Sequence, residues 1–308
     1  MKQLDLQFVR QHFPGFAHLD GGFFDSAAGS LACQETIAAL NEFYLETNVQ
    51  PGDHYPARAL GMEKMQASKH RWANALGVKP NEVGFGPSTT QNSYVLSQAF
   101  RGLLTAGDGI VLTDQDHESN IGAMQRAAEG AGASVRIWKV DAETGLLDPK
   151  DLAGLLSENT KLVCFPHASN ITGQKNDAAR IIEMAHSVGA VTLVDGVSYA
   201  PHAIPDVNAL GADIYVFSLY QVYSVHLGVM VGRESWLERL PRQGHFFKQG
   251  LDVNERLVPA GPDHAQIAAA SATLDYIETL SAHHGGPVTT ERDAAAYVSQ
   301  LWLEHEQQ

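Results

Sequence analysis

Three polar clusters in this 308-residue chain each follow a short apolar run, and their residue types suit anion binding and proton transfer. Glu82 to Phe85 runs into Ser88, Thr89 and Thr90, after which Asn92 to Leu104 has a helical pattern. A strand, a turn of small residues and a helix start together offer free backbone N–H groups and hydroxyls to an anion. The same residues also make an ordinary helix cap, and the turn alone does not choose between these readings. Gly109 to Thr113 delivers Asp116 and His117 ahead of a helix from Glu118 to Gly130, where a lone His is more often a cap or a solvated side chain than a site residue. The third stretch, Val191 to Arg233, holds an apolar run ending at Asp195, a short helical segment, and a run ending at Ser218. A polar turn and a Gly-led run from Gly228 follow. Such runs read as consecutive buried strands, and in an open α/β sheet chemistry gathers at strand ends.

The elements that must position these groups alternate along the chain. Further strands are expected over Val135 to Val140 and Lys161 to Pro166. Helices are expected over Leu4 to Phe13, Gln34 to Glu46, Glu63 to Leu76, Asp177 to Val188, Ala265 to Leu280 and Thr290 to Glu306. Asn48 to Arg58 reads as a Gly/Pro loop, which its composition explains as a surface turn, and Gly244 to Val258 reads as irregular. With 44% hydrophobic residues the chain can bury a large core. A formal charge of −14 opposes phosphate backbones and anionic membranes, so neither nucleic acid nor a membrane is an expected partner. Cys33 and Cys164 are the only cysteines and read as structural, which leaves no disulfide framework. Met1 to Arg10 lacks the apolar core of a signal peptide, and no window approaches the ~20 apolar residues of a membrane span, so a cytoplasmic location is expected.

In their order, these motifs resemble the class V aminotransferase and cysteine desulfurase family of fold type I pyridoxal 5′-phosphate (PLP) enzymes. Leu19-Asp20 followed by FFDSAAGS is similar to the family's opening LD-x-A-x-x-S, DHESN to its E/D-H-x-x-N, and DAETGLLD to its D-x-x-G-x-x-D. Ser169-Asn170 resembles S-N-x-x-G, Gly261 to His264 resembles the loop G-G/T-P-N, and the block from Asp195 to Gly228 is the most specific. The resemblance implies a three-layer α/β/α fold around a mostly parallel seven-stranded sheet, with the strand from Gly228 running against the others. It implies an arm over residues 1–18, a large PLP-binding domain over 19–285, and over 286–308 the start of a linker helix, the small C-terminal domain being largely absent. It further implies Ser88, Thr89, Thr90 and Ser218 at the cofactor phosphate, His117 stacked on the ring, Asn170 at the ring hydroxyl and Asp195 on the pyridinium nitrogen. Ser198 stands where many desulfurases have Gln, Tyr220 precedes the lysine position, and Gly261 reaches the pocket of the neighbouring subunit in a homodimer. The substrate class implied is amino-acid-like.

One position departs. Where the family carries its Schiff-base lysine this chain has Gln221, and a neutral amide neither forms that bond nor takes the substrate's α proton. Ser224 and Val225 depart with it from the family's K-x-x-G-P, while His226, Leu227 and Gly228 still match. The cofactor, PLP or its amine form, is therefore expected to bind noncovalently, with His117, His226 or Tyr220 left to carry protons. Lys175 and Lys248 are the alternative amines, and Arg58 or Arg256 the candidate carboxylate ligands. A non-catalytic scaffold, and a truncated or engineered variant of an ordinary enzyme, remain alternatives.

Overall fold

The computed structural model describes residues 3–247, 250, 252–259 and 263–307; Lys248 and Gly261 lie outside them. The strands are β1 (Val83–Gly86), β2 (Gly109–Thr113), β3 (Ser134–Trp138), β4 (Thr160–Pro166), β5 (Val191–Asp195), β6 (Ile214–Ser218) and β7 (Gly228–Gly232). They form one seven-stranded sheet in the order β1-β7-β6-β5-β4-β2-β3. β7 is antiparallel to both its neighbours, β1 and β6, and every other pairing is parallel. β1, β2, β5, β6 and β7 are buried along their whole length, as unbroken apolar runs covered on both faces must be.

Alternate residues of the strands feed two separate cores. Phe85, Val163, Phe165, Val194 and Phe217 pack with Trp72, Ile181, Tyr276 and Trp302 on one side of the sheet. Ile110, Leu112, Leu162, Cys164 and Leu193 pack with Leu96 and Met124 on the other. The first side is covered by the helices Pro56–Leu76, Ala178–Ser187, Ala272–His283 and Glu291–Glu306, the second by Thr89–Arg101 and Glu118–Ala131. This is the three-layer α/β/α arrangement that the resemblance implies, including the reversed strand.

Three segments differ from expectation. The helix Pro56–Leu76 begins inside the stretch read as a loop, because proline at the first helical position has no N–H to leave unpaired. A short helix, Val253–Leu257, lies within the segment read as irregular. The expected helix over Ala265 to Leu280 is two helices, His264–Ala269 and Ala272–His283. At the break, Trp72 Nε1 donates to Ala270 O (3.0 Å) and Arg71 Nη1 to Ser271 O (3.3 Å), so side chains of the neighbouring helix claim those carbonyls.

Candidate functional site

All strands but β7 end at one edge of the sheet, and the polar clusters meet there. Ser218 at the end of β6, Gly228 at the start of β7 and Gly86 at the end of β1 lie in register across three strands. Beyond Gly86, Ser88 caps the helix Thr89–Arg101 by accepting from Gln91 N (3.1 Å). The helix starts at Thr89, earlier than its apolar pattern suggests, so Thr89 and Thr90 stand in its first turn with N–H groups that have no helical acceptor. Thr89 Oγ1 lies 2.6 Å from Ser218 Oγ, both side chains buried. Gly228 is required by this approach: a Cβ there would come within 2.4 Å of Ser88 C and Thr89 N.

These groups open onto a cavity of about 370 Å³ whose wall includes Ser88, Thr89, Thr90, Asp116, His117, Asn170, Asp195, Ser198, Ser218, Tyr220, Gln221 and His226. Every described residue expected at the site is therefore on one wall; Gly261 lies outside the described residues. Of the alternative groups, Lys175 sits one chamber away with Nζ 5.0 Å from the centroid of the Tyr199 ring. Arg58 Nε donates to Gln50 O (2.9 Å), and Arg256 is buried with Nη2 on Leu240 O (2.7 Å), so both are engaged by their own surroundings.

His117 caps the helix that follows it. Its Nδ1 accepts from Ser119 N (3.1 Å), capping the helix Glu118–Ala131, which leaves Nε2 as the proton-bearing nitrogen of the neutral ring. The ring also lines the cavity. Tyr220 and His226 stack with centroids 4.6 Å apart and planes at 12°. Gln221 donates through Nε2 to Ala27 O (2.9 Å), whereas its Oε1 is buried without a hydrogen-bond partner.

Two residues of the DHESN motif, Asp116 and Asn120, received no role from the sequence, yet they join the site. Asn120, fully buried, donates from Nδ2 to Asp195 Oδ2 (2.5 Å) and to Asp116 Oδ1 (3.0 Å), and so ties two buried carboxylates together. Asp195 Oδ1 accepts from Val197 N (2.8 Å); Asp116 Oδ2 is buried with no partner. Burial raises the Asp195 carboxyl above its usual range, and burial followed by the charge of Asp195 raises that of Asp116. The signal lay within DHESN, where Asp116 stands just ahead of the helix that carries Asn120 in its first turn, but nothing in the sequence brings Asp195 to this pair.

The pocket fits a phosphorylated pyridine cofactor on structural grounds. Thr89, Thr90, Ser218 and the exposed N–H groups of a helix start suit the phosphate, and Asp195, a buried carboxylate with no cation beside it among the lining residues, suits a protonated ring nitrogen.

The comparisons with known proteins agree. The family described as "Aminotransferase class-V" matches residues 22–287. An aminotransferase-like protein of Gibberella zeae is 34% identical over 309 residues, covering 98% of this chain and 72% of the relative. A cysteine desulfurase of Yersinia pseudotuberculosis is 30% identical over 298 residues, covering 89% of this chain and 72% of the relative. Among solved structures, the cysteine desulfurase CsdA of Escherichia coli superposes with a TM-score of 0.78 at 26% identity, over 89% of this chain and 71% of that one. With the sheet order, the pocket at its edge and these matches in agreement, the chain belongs to the class V aminotransferase family, whose cofactor is PLP.

Proposed function

We propose that this protein holds a PLP-type cofactor without a covalent bond and presents it to an amino-acid-like substrate. One observation carries the reading: the anion cradle of Thr89 and Ser218 and the buried Asp195 open onto a single cavity whose wall, among the described residues, has Gln221 and no lysine. When bound, the cofactor supplies a pyridinium ring that draws electrons from a carbon attached to it. Asp195 keeps the ring nitrogen protonated, Asn120 aims Asp195, and Thr89, Thr90 and Ser218 hold the phosphate. Stacking falls to His117, and Asn170 meets the ring hydroxyl. His117, His226 and Tyr220 are the groups able to hold or pass a proton in place of a lysine. A second chamber of about 440 Å³, sharing Ala168, Asn170, Ser198 and Gln221 with the first, gives room for a small substrate, and Lys175 on its wall offers an ammonium to a carboxylate.

The non-catalytic reading has its own support. Tyr223 holds a left-handed backbone, φ 60°, uncommon for a non-glycine residue, in the turn whose sequence departs from the family's K-x-x-G-P. Both readings are separated by incubating the purified chain with PLP, reducing with borohydride and weighing the intact protein. Noncovalent binding without an adduct is expected. A lysine adduct at the pocket overturns the role given to Gln221, and no binding favours a scaffold. Gln221→Lys is expected to form the adduct if the remodelled turn still aims position 221 at the ring.

A further inference from the structure

We infer that the second chamber selects amino acids whose side chain ends in a carboxylate, and that Lys175 is the residue that reads this group. The inference rests on the cofactor reading above and adds the substrate class.

A tight hairpin carries Lys175. Ala168 and Lys175 form an antiparallel bridge, Ser169 N donates to Gln174 O (2.9 Å), and Gly173, at φ 70°, donates from N to Ser169 O (3.0 Å). The Lys175 ammonium stands over the Tyr199 ring, which stacks on the buried ring of His167 with centroids 3.6 Å apart and planes at 11°. His167 N in turn donates to Asp195 O (2.7 Å), so the platform is anchored to the end of β5. The imidazole adds no charge of its own, because burial and then the charge of Lys175 push its pKa down to about 3. Among the described residues Lys175 is the only lysine or arginine on the walls of the two chambers, and no carboxylate pairs with it. Glu306, the one carboxylate on the wall of the second chamber, lies 2.5 Å from His202 Nδ1 instead.

The place of this charge decides which end of a substrate it meets. Lys175 lines the second chamber and not the cofactor cavity, whereas Asn170 and Ser198 line both. Neither of those side chains has a hydrogen-bond partner among the described residues. An amino acid presented to the ring has its α-carboxylate one bond from the carbon that reacts, so that group stays by the shared wall and accepts from Asn170 and Ser198. Its side chain extends into the second chamber, where a terminal carboxylate gains an ion pair with Lys175 and a neutral end gains none. The formal charge of −14 opposes extra negative charge on a ligand, so a preference for it has to come from a local cation.

The test is calorimetric titration of the cofactor-free protein with stable conjugates in which PLP has been joined to an amino acid by borohydride reduction. The conjugates of L-glutamate and L-aspartate are compared with those of L-glutamine and L-asparagine, which have the same size and a neutral end, and PLP alone is titrated alongside. At least one acid conjugate is expected to bind about three- to fivefold more tightly than its amide, the scale of one exposed ion pair. Lys175→Met should remove this gap, Lys175→Glu should reverse it, and Lys175→Arg should keep it. Equal affinities of acid and amide in the natural protein, a gap that persists in Lys175→Met, or binding of PLP without binding of any conjugate overturns the inference and leaves the cofactor reading standing. Failure of PLP and all the conjugates to bind overturns the cofactor reading, and the inference with it.

Discussion

Asp116 and Asp195 share one amide donor, and their proximity has a consequence for stability as well as for the site. Asp116 has a folded-state pKa raised from the ordinary 3.8 by burial and by its neighbour's charge. Above pH 3.8 the unfolded chain therefore gives up this proton before the folded one does. Stability from this group is present at low pH and falls as pH rises through the folded value. Asp116→Asn removes that loss. The cofactor-free variant is expected to be more stable than the natural protein by about 1–3 kcal/mol at pH 8, with the difference shrinking toward pH 4, as read by urea denaturation across pH. Asp195 gives the opposite kind of test. If it pairs with a ring nitrogen, Asp195→Ala removes a charge-assisted hydrogen bond of about 1.5–3 kcal/mol, a loss of roughly 10- to 150-fold in cofactor affinity by titration. An unchanged affinity would remove Asp195 from the site.

The turn after β1 and the first residue of β7 belong together as elements. Gly228→Ala drives a methyl group into the backbone of Ser88 and Thr89, so either the cradle or the β1–β7 pairing must yield. A destabilisation of about 1–3 kcal/mol, with weaker binding of inorganic phosphate at the cradle, is the expected result in thermal melts with and without phosphate. Much of this scale was legible in the sequence. β1, β2, β4, β5 and β6 are largely apolar runs ended by polar clusters, and the cradle, His117, Asp195 and Ser218 sit at those ends, beside the start of β7. What was not legible depends on distant partners. The split between His264–Ala269 and Ala272–His283 is set by Trp72 and Arg71 from another helix. Asp116 reads as one more acidic residue at a helix start until Asn120 is seen to reach Asp195, 75 positions away. The partnerless oxygen of Gln221 likewise depends on Ala27, 194 positions earlier.

For the molecule as a whole, the expectation is a homodimer with its pockets at the subunit boundary. Among the described residues Phe24, Leu45 and Ile171 are each more than 80% exposed, which is apolar surface that a second copy could cover. Light scattering should give about twice the 33.3 kDa of one chain, and a purely monomeric solution would count against a shared pocket. The stitching of Ala27, Ser30 and Cys33 onto the turn at Tyr220 to Tyr223 also has a temporal side. Ser30 meets a partner 190 residues further along, and a ribosome adding about 5–20 residues per second needs roughly 10–40 s to deliver it. Through that interval the early segment has no turn to dock on, and Gln221 has not yet been made. The wall that carries this glutamine is therefore completed late in synthesis, and a nascent chain paused before Tyr220 should not retain the cofactor.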